Sequence, residues 1–117
     1  MKFALLIYAD EQAWRALSEG EQAKMYTEHG AFGKWLAEKR WARGGEELEP
    51  SEGAWTVRTD GEAFVVSDGP YAETKEQIAG IYLIECPSLE DALEAGKRLP
   101  AQIVEVRRVV EDGERRS

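Results

Sequence analysis

The sequence predicts an α+β domain with a βαββαβ plan and an extra hairpin between its helices. Three observations lead there. Residues 3–8 and 81–86 are almost continuously apolar, the pattern of strands buried on both faces. Two capped helical patterns are spaced between strand-like runs. An Asp60-Gly61 pair lies between two further strand-like runs, a strong hairpin signal.

Taken in order, residues 3–8 form the first strand. Ser18 with Glu21 has the capping-box spacing that satisfies free amides at a helix start. Met25, His29, Phe32 and Leu36 then fall at i, i+4, i+7 and i+11, one helical stripe. Lys39, Arg40 and Arg43 stand near the helix C-terminus, where cations complement the dipole, and Gly44-Gly45 is expected to end the helix. Residues 54–59 and 62–67 form the hairpin strands, and residues 81–86 a second central strand. Ser88 with Asp91 opens a second helix, whose packing face is read as Leu89, Ala92, Leu93 and Gly96, with Pro100 ending it. Residues 103–110 alternate apolar and charged side chains, as an edge strand does. Residues 1–110 are read as one domain and 111–117 as a loose tail.

A chain of 117 residues buries a core without disulfides or metal. Its net charge of −8 disfavours nucleic acid and anionic membrane surfaces as partners. One cysteine, Cys86, forbids an internal disulfide and suits a reducing cytoplasm. Asp10-Glu11 follows the short apolar opening with no cleavage site, so this reads as a strand and not a signal peptide. One His and one Cys do not make a usual zinc site, so no metal is expected. Phosphate-binding glycine loops, nucleophile elbows and Cys-x-x-Cys pairs are absent, so no cofactor is expected either.

Two helices cover only one face of such a sheet. The other face carries apolar residues of both central strands, more than a monomer usually exposes. Two chains are therefore expected to pack sheet to sheet as a dimeric α/β barrel.

Residues 66–78 hold the most distinctive string, Val66-Ser67-Asp68-Gly69-Pro70-Tyr71-Ala72-Glu73-Thr74-Lys75-Glu76-Gln77-Ile78. It resembles the signature of the DGPF-type domains, a branch of the YCII-related family. Tyr71 stands where the name-giving motif has phenylalanine. The opening strand, the first helix with its Gly44-Gly45-Glu46 sequel, the strand at 80–85 and the helix at 89–100 extend the resemblance over almost the whole chain. The resemblance implies a ferredoxin-like fold and a homodimer. It also implies a His–Asp pair in some members, one branch of which eliminates chloride from a chlorinated hydroxyquinol. The DGPF branch is often encoded beside alternative sigma factors.

His29 is the only histidine, so any His-based acid–base step uses it. Its place on an apolar stripe fits a core histidine with one hydrogen bond or a base in a pocket. Asp68 fits turn chemistry, in which its carboxylate bonds nearby amides, or a partner orienting His29. The family's pair maps onto His29 and Asp68, the catalytic candidates. Tyr8, Tyr71, Lys75 and Tyr82 are the ligand-binding candidates: Lys75 and Tyr71 at a pocket mouth, Tyr8 and Tyr82 on central strands where buried hydroxyls need partners. Two functions compete. One is a dimeric module binding a small molecule near His29 and Asp68. The other is a cofactor-free enzyme abstracting a proton, with His29 as base.

Overall fold

A computed structural model describes residues 1–113, so the expected tail lies outside the described residues from 114 onward. The chain runs β1 (Lys2–Asp10), α1 (Glu11–Ala16), α2 (Glu19–Lys39), β2 (Ala42–Glu47), a 3-10 turn (Ser51–Gly53), β3 (Trp55–Asp60), β4 (Ala63–Asp68), β5 (Glu76–Glu85), α3 (Leu89–Arg98) and β6 (Ile103–Arg108). One sheet has the order β2-β5-β1-β6, every pair antiparallel. The hairpin β3–β4 is a separate two-stranded sheet. Without the hairpin and the short α1, the plan is βαββαβ with the two apolar strands in the centre, a ferredoxin-like α+β fold.

Local chemistry sets the helix ends. Asp10 accepts from the amides of Gln12 (3.0 Å) and Ala13 (3.2 Å) and so starts α1, a helix the periodicity does not announce. Ser18 and Glu21 complete the capping box in both directions, at 3.1 and 2.9 Å. The end of α2 differs from the sequence expectation. Arg40 takes the left-handed conformation (φ 63°), its amide bonds the Ala37 carbonyl, and the Trp41 amide bonds the Leu36 carbonyl. That is a Schellman closure made by an arginine.

Gly44-Gly45 therefore does not stop the helix but lies inside β2, the strand that completes the βαββαβ plan in place of the expected hairpin strands. Gly44 has φ +124°, at the irregularity where β2 shifts register against β5. A Cβ on Gly45 would lie 2.9 Å from the Ile81 carbonyl oxygen and 3.2 Å from Tyr82 Cδ1. The glycine lets the two strands approach beside the Tyr82 ring.

Cross-strand register sorts the sheet faces. Phe3 pairs with Ile84, Leu5 with Tyr82 and Val106, and Ile7 with Val104; these point toward the helices. Phe3, Leu5 and Ile84 form the core with Phe32 and Leu36 of α2 and Ala92, Ala95 and Leu99 at α3. Full burial of such a side chain contributes about 1.5–3 kcal/mol. The packing face of α3 is Ala92, Ala95 and Gly96, with a Gly96 Cβ position only 3.1 Å from Val106. Leu89 and Leu93, expected on that face, are exposed, because the helix sits too close to β6 for branched side chains.

The opposite face carries Ala4, Leu6, Tyr8, Ile81 and Leu83, with no layer over it among the described residues. The hairpin turns one residue later than expected: Asp60 pairs with Ala63, and Gly61 (φ 63°) holds the first turn position, where a II′ turn takes glycine.

Candidate functional site

The six candidate residues fall on two sides of the sheet. On the helix side, α2 presents His29 to β5. Its Nδ1 lies 2.9 Å from the Tyr82 hydroxyl, and the two rings are stacked with centroids 6.0 Å apart. With Nδ1 as acceptor for the Tyr82 hydroxyl, the neutral ring carries its proton on Nε2. Burial pushes the His29 pKa below its ordinary 6.5, against the opposing pull of the Pro100 backbone and the Glu47 and Glu28 carboxylates. Burial also raises the Tyr82 pKa. Both shifts favour neutral partners, so the pair is an uncharged bridge from α2 to β5. Phe32 packs edge-on against Tyr82, centroids 5.1 Å apart, and fixes the ring from the core side.

Asp68 has a different setting. It ends β4 opposite Trp55, is exposed, and its carboxylate has no hydrogen bond or ion pair among the described residues. No bond joins it to His29, and it does not bond the amides of its own turn. Instead the backbone holds that turn. Gly69 (φ +102°) donates its amide to the Ala54 carbonyl at 2.7 Å and accepts from the Thr56 hydroxyl at 2.9 Å. Gln77 then pins the loop, donating to the Ala72 carbonyl (2.8 Å) and the Thr74 carbonyl (3.2 Å). Thr74 and Gln77 thus form a side-chain clamp on the loop. Lys75 points to Asp10 at 4.0 Å, against the carboxylate that caps α1, and so is a brace at the loop's outer side.

Held this way, the loop forms one wall of an open cleft of about 760 Å³ on the uncovered face of the sheet. Tyr8 and Ile78 form its floor, Pro70 and Tyr71 one wall, and Trp55 and Val57 of the hairpin another. The Tyr8 hydroxyl is engaged with Glu105 at 3.0 Å, which raises the Tyr8 pKa and leaves the ring as the surface offered. Glu49 and Glu76 are the ionisable carboxylates in the lining; no Lys, Arg or His belongs to it. Tyr71 is 77% exposed and Trp55 73%, both rings open to a ligand. Arg58 stands over the Tyr71 ring, 5.1 Å from its centroid. Trp55 was not singled out from the sequence. The one available signal was its position at the start of the first hairpin strand.

The YCII-related domain matches residues 1–111, which contain the whole signature loop and every residue of the cleft. The chain belongs to the YCII-related family. A protein of Rhizobium meliloti (strain 1021), itself described as uncharacterised, is 36% identical over 99 residues, covering 85% of this chain and 80% of the relative. In this YCII-related chain no group of three or more His, Cys, Asp or Glu side chains among the described residues is placed to hold a metal. No helix among them is long and apolar enough to cross a membrane. Cys86 is buried, its thiol donates to the Ser88 carbonyl, and burial raises its pKa, which suits a packing role better than a nucleophilic one.

Proposed function

We propose that this protein is a small-molecule-binding homodimer of the cytoplasm, and that its ligand site is the cleft on the uncovered sheet face. The observation that carries the reading is the lining: three aromatic rings, Tyr8, Trp55 and Tyr71, around a cleft whose ionisable wall groups are the carboxylates Glu49 and Glu76. A volume of about 760 Å³ lies in the range of small-molecule sites. Rings favour a flat apolar ligand, and carboxylates without a lysine or arginine favour one that is uncharged or cationic. The dimer reading rests on the uncovered apolar face of β1 and β5. The single buried cysteine suits a reducing compartment.

The test is a titration followed by tryptophan fluorescence with three probes of equal ring size: quinoline, N-methylquinolinium and 2-naphthoate. Quinoline and N-methylquinolinium should bind several-fold tighter than naphthoate, and Tyr71→Ala or Trp55→Ala should weaken both. Equal or tighter binding of naphthoate, or no effect of either substitution, would overturn the reading.

A further inference from the structure

The β3–β4 hairpin is an arm without a body beneath it. Its strands pair with each other in a two-stranded sheet, and every residue of β4 is exposed. An isolated two-stranded hairpin is marginal in water. Register puts Trp55, Val57, Phe64 and Val66 on one face of the arm, since Val57 pairs with Val66, Phe64 with Thr59 and Trp55 with Asp68. All four are far from buried, with Phe64 at 72% and Val66 at 64% exposure. This strip begins inside the cleft, at Trp55 and Val57, and runs out of it along the arm.

Surface area says what kind of cover the strip calls for. A compact monomer of 13.1 kDa exposes about 6,400 Å². This chain exposes 8745 Å², an excess of about 2,300 Å². Its radius of gyration is 16.5 Å, against about 13 Å for a compact chain of this length. An excess of that size fits the share each partner loses in a large obligate interface, about 1,000–2,500 Å². The chain also carries both halves of such an interface: a projecting apolar arm and an uncovered apolar sheet face with the cleft at its end. A twofold axis joins such halves reciprocally, each subunit giving an arm and receiving one.

We infer that two copies of this chain exchange their β3–β4 arms, so that Phe64 and Val66 of each arm close the other subunit's cleft. The inference rests on the cleft reading and adds to it that the binding site is composite. Pairing of the sheet faces alone would leave the arm free.

The experiment compares wild type, Phe64→Arg and Tyr71→Ala, each as the full chain. The readouts are mass by sedimentation, amide hydrogen exchange of residues 63–68, and quinoline binding. Phe64 lies outside the lining of its own chain's cleft and is 72% exposed, so its substitution leaves the subunit fold intact. The expected wild type is dimeric, with arm protection that rises with protein concentration. Phe64→Arg should lose at least tenfold in dimer affinity, deprotect the arm and weaken quinoline binding. A monomeric wild type at 100 µM overturns the exchange. So does a Phe64→Arg variant that keeps the wild-type mass and arm protection, or one that becomes monomeric yet binds quinoline as wild type does. The cleft reading fails separately. Tyr71→Ala that binds quinoline normally, or a wild type that binds none, sinks that reading, and mass with arm protection then decides the exchange alone.

Discussion

Replacing Gly45 with alanine tests whether the approach of β2 to β5 depends on a missing side chain. The added methyl would stand 2.9 Å from the Ile81 carbonyl oxygen, 3.2 Å from Tyr82 Cδ1 and 3.5 Å from Tyr82 Cα. Two of these three atoms are backbone, so a rotamer change does not relieve the contact. Either β2 moves away and its ladder with β5 weakens, or Tyr82 shifts and its hydrogen bond to His29 lengthens. Overpacking of this kind costs about 1–3 kcal/mol. At 117 residues, 1 kcal/mol corresponds to roughly 3–6 °C in Tm, so a drop of about 6–12 °C is expected for a mid-range cost. Gly30→Ala is the matched control. Gly30 lies inside α2 with nothing within 4 Å of its Cβ position, and alanine there gains about 0.5–1 kcal/mol in helix propensity. Both variants are melted at one protein concentration, since any self-association would make Tm concentration-dependent. The His29 ring resonances, from the only histidine, should shift in Gly45→Ala through the displaced Tyr82. A Gly45→Ala protein that melts with wild type would refute the close-approach argument.

The His29 titration gives a pH prediction. Its folded pKa lies below 6.5, so below about pH 6.5 the unfolded chain binds the proton more readily. The bridge to Tyr82 therefore contributes stability above that pH and loses it as pH falls through the folded pKa. The histidine NMR signal should titrate with a midpoint below 6.5, and His29→Gln should flatten the acid side of the stability curve; a midpoint at or above 6.5 sinks the neutral-bridge assignment. Ser18→Ala removes the acceptor for the Glu21 amide, the side-chain half of the capping box, and should cost about 0.5–2 kcal/mol by chemical denaturation. An unchanged midpoint there would mean that α2 is started by packing and not by its cap.

Much of the fold was legible because a continuous apolar run marks an inner strand. Residues 3–8 and 81–86 read as central strands, and β1 and β5 are the two inner strands of the sheet, although only their helix-side residues are fully buried. Phe32 and Leu36 read as core because helical spacing put them on one stripe. What was not legible depended on the path of the backbone. Strand β2 is Ala42-Arg43-Gly44-Gly45-Glu46-Glu47, with neither β-branched residues nor alternation. It is a strand because β5 offers an edge and Gly45 permits the approach. Arg40 closes α2 in a conformation that sequence rules assign to glycine. The Leu89 and Leu93 positions followed the periodicity but not the spacing of α3 from β6. For the site, the sequence singled out Tyr8, Tyr71 and Tyr82, of which Tyr8 and Tyr71 line the cleft and Tyr82 lies on the helix side. It carried no signal that a sheet would lie between Tyr82 and the other two.

That intervening sheet decides what each polar group has available. His29 has its Nδ1 committed to Tyr82 on the helix side, while Asp68 stands at the foot of the arm on the uncovered side. A reaction in the cleft would therefore draw on what faces it: the Tyr71 ring and hydroxyl, the Glu49 and Glu76 carboxylates, and near the arm the unpartnered carboxylate of Asp68. The signature string makes sense in the same terms. Gly69 turns the chain and Gln77 holds it, Lys75 ties its outer side to Asp10, and Pro70 and Tyr71 are thereby fixed as a wall. Its charged and turn-forming residues shape the loop from outside, and its aromatic residue is the part presented to a ligand. Replacing Gln77 with alanine should consequently loosen the loop and weaken ligand binding while leaving the His29–Tyr82 bridge and its titration unchanged. Parallel loss of both would mean that the two sides of the sheet are coupled after all.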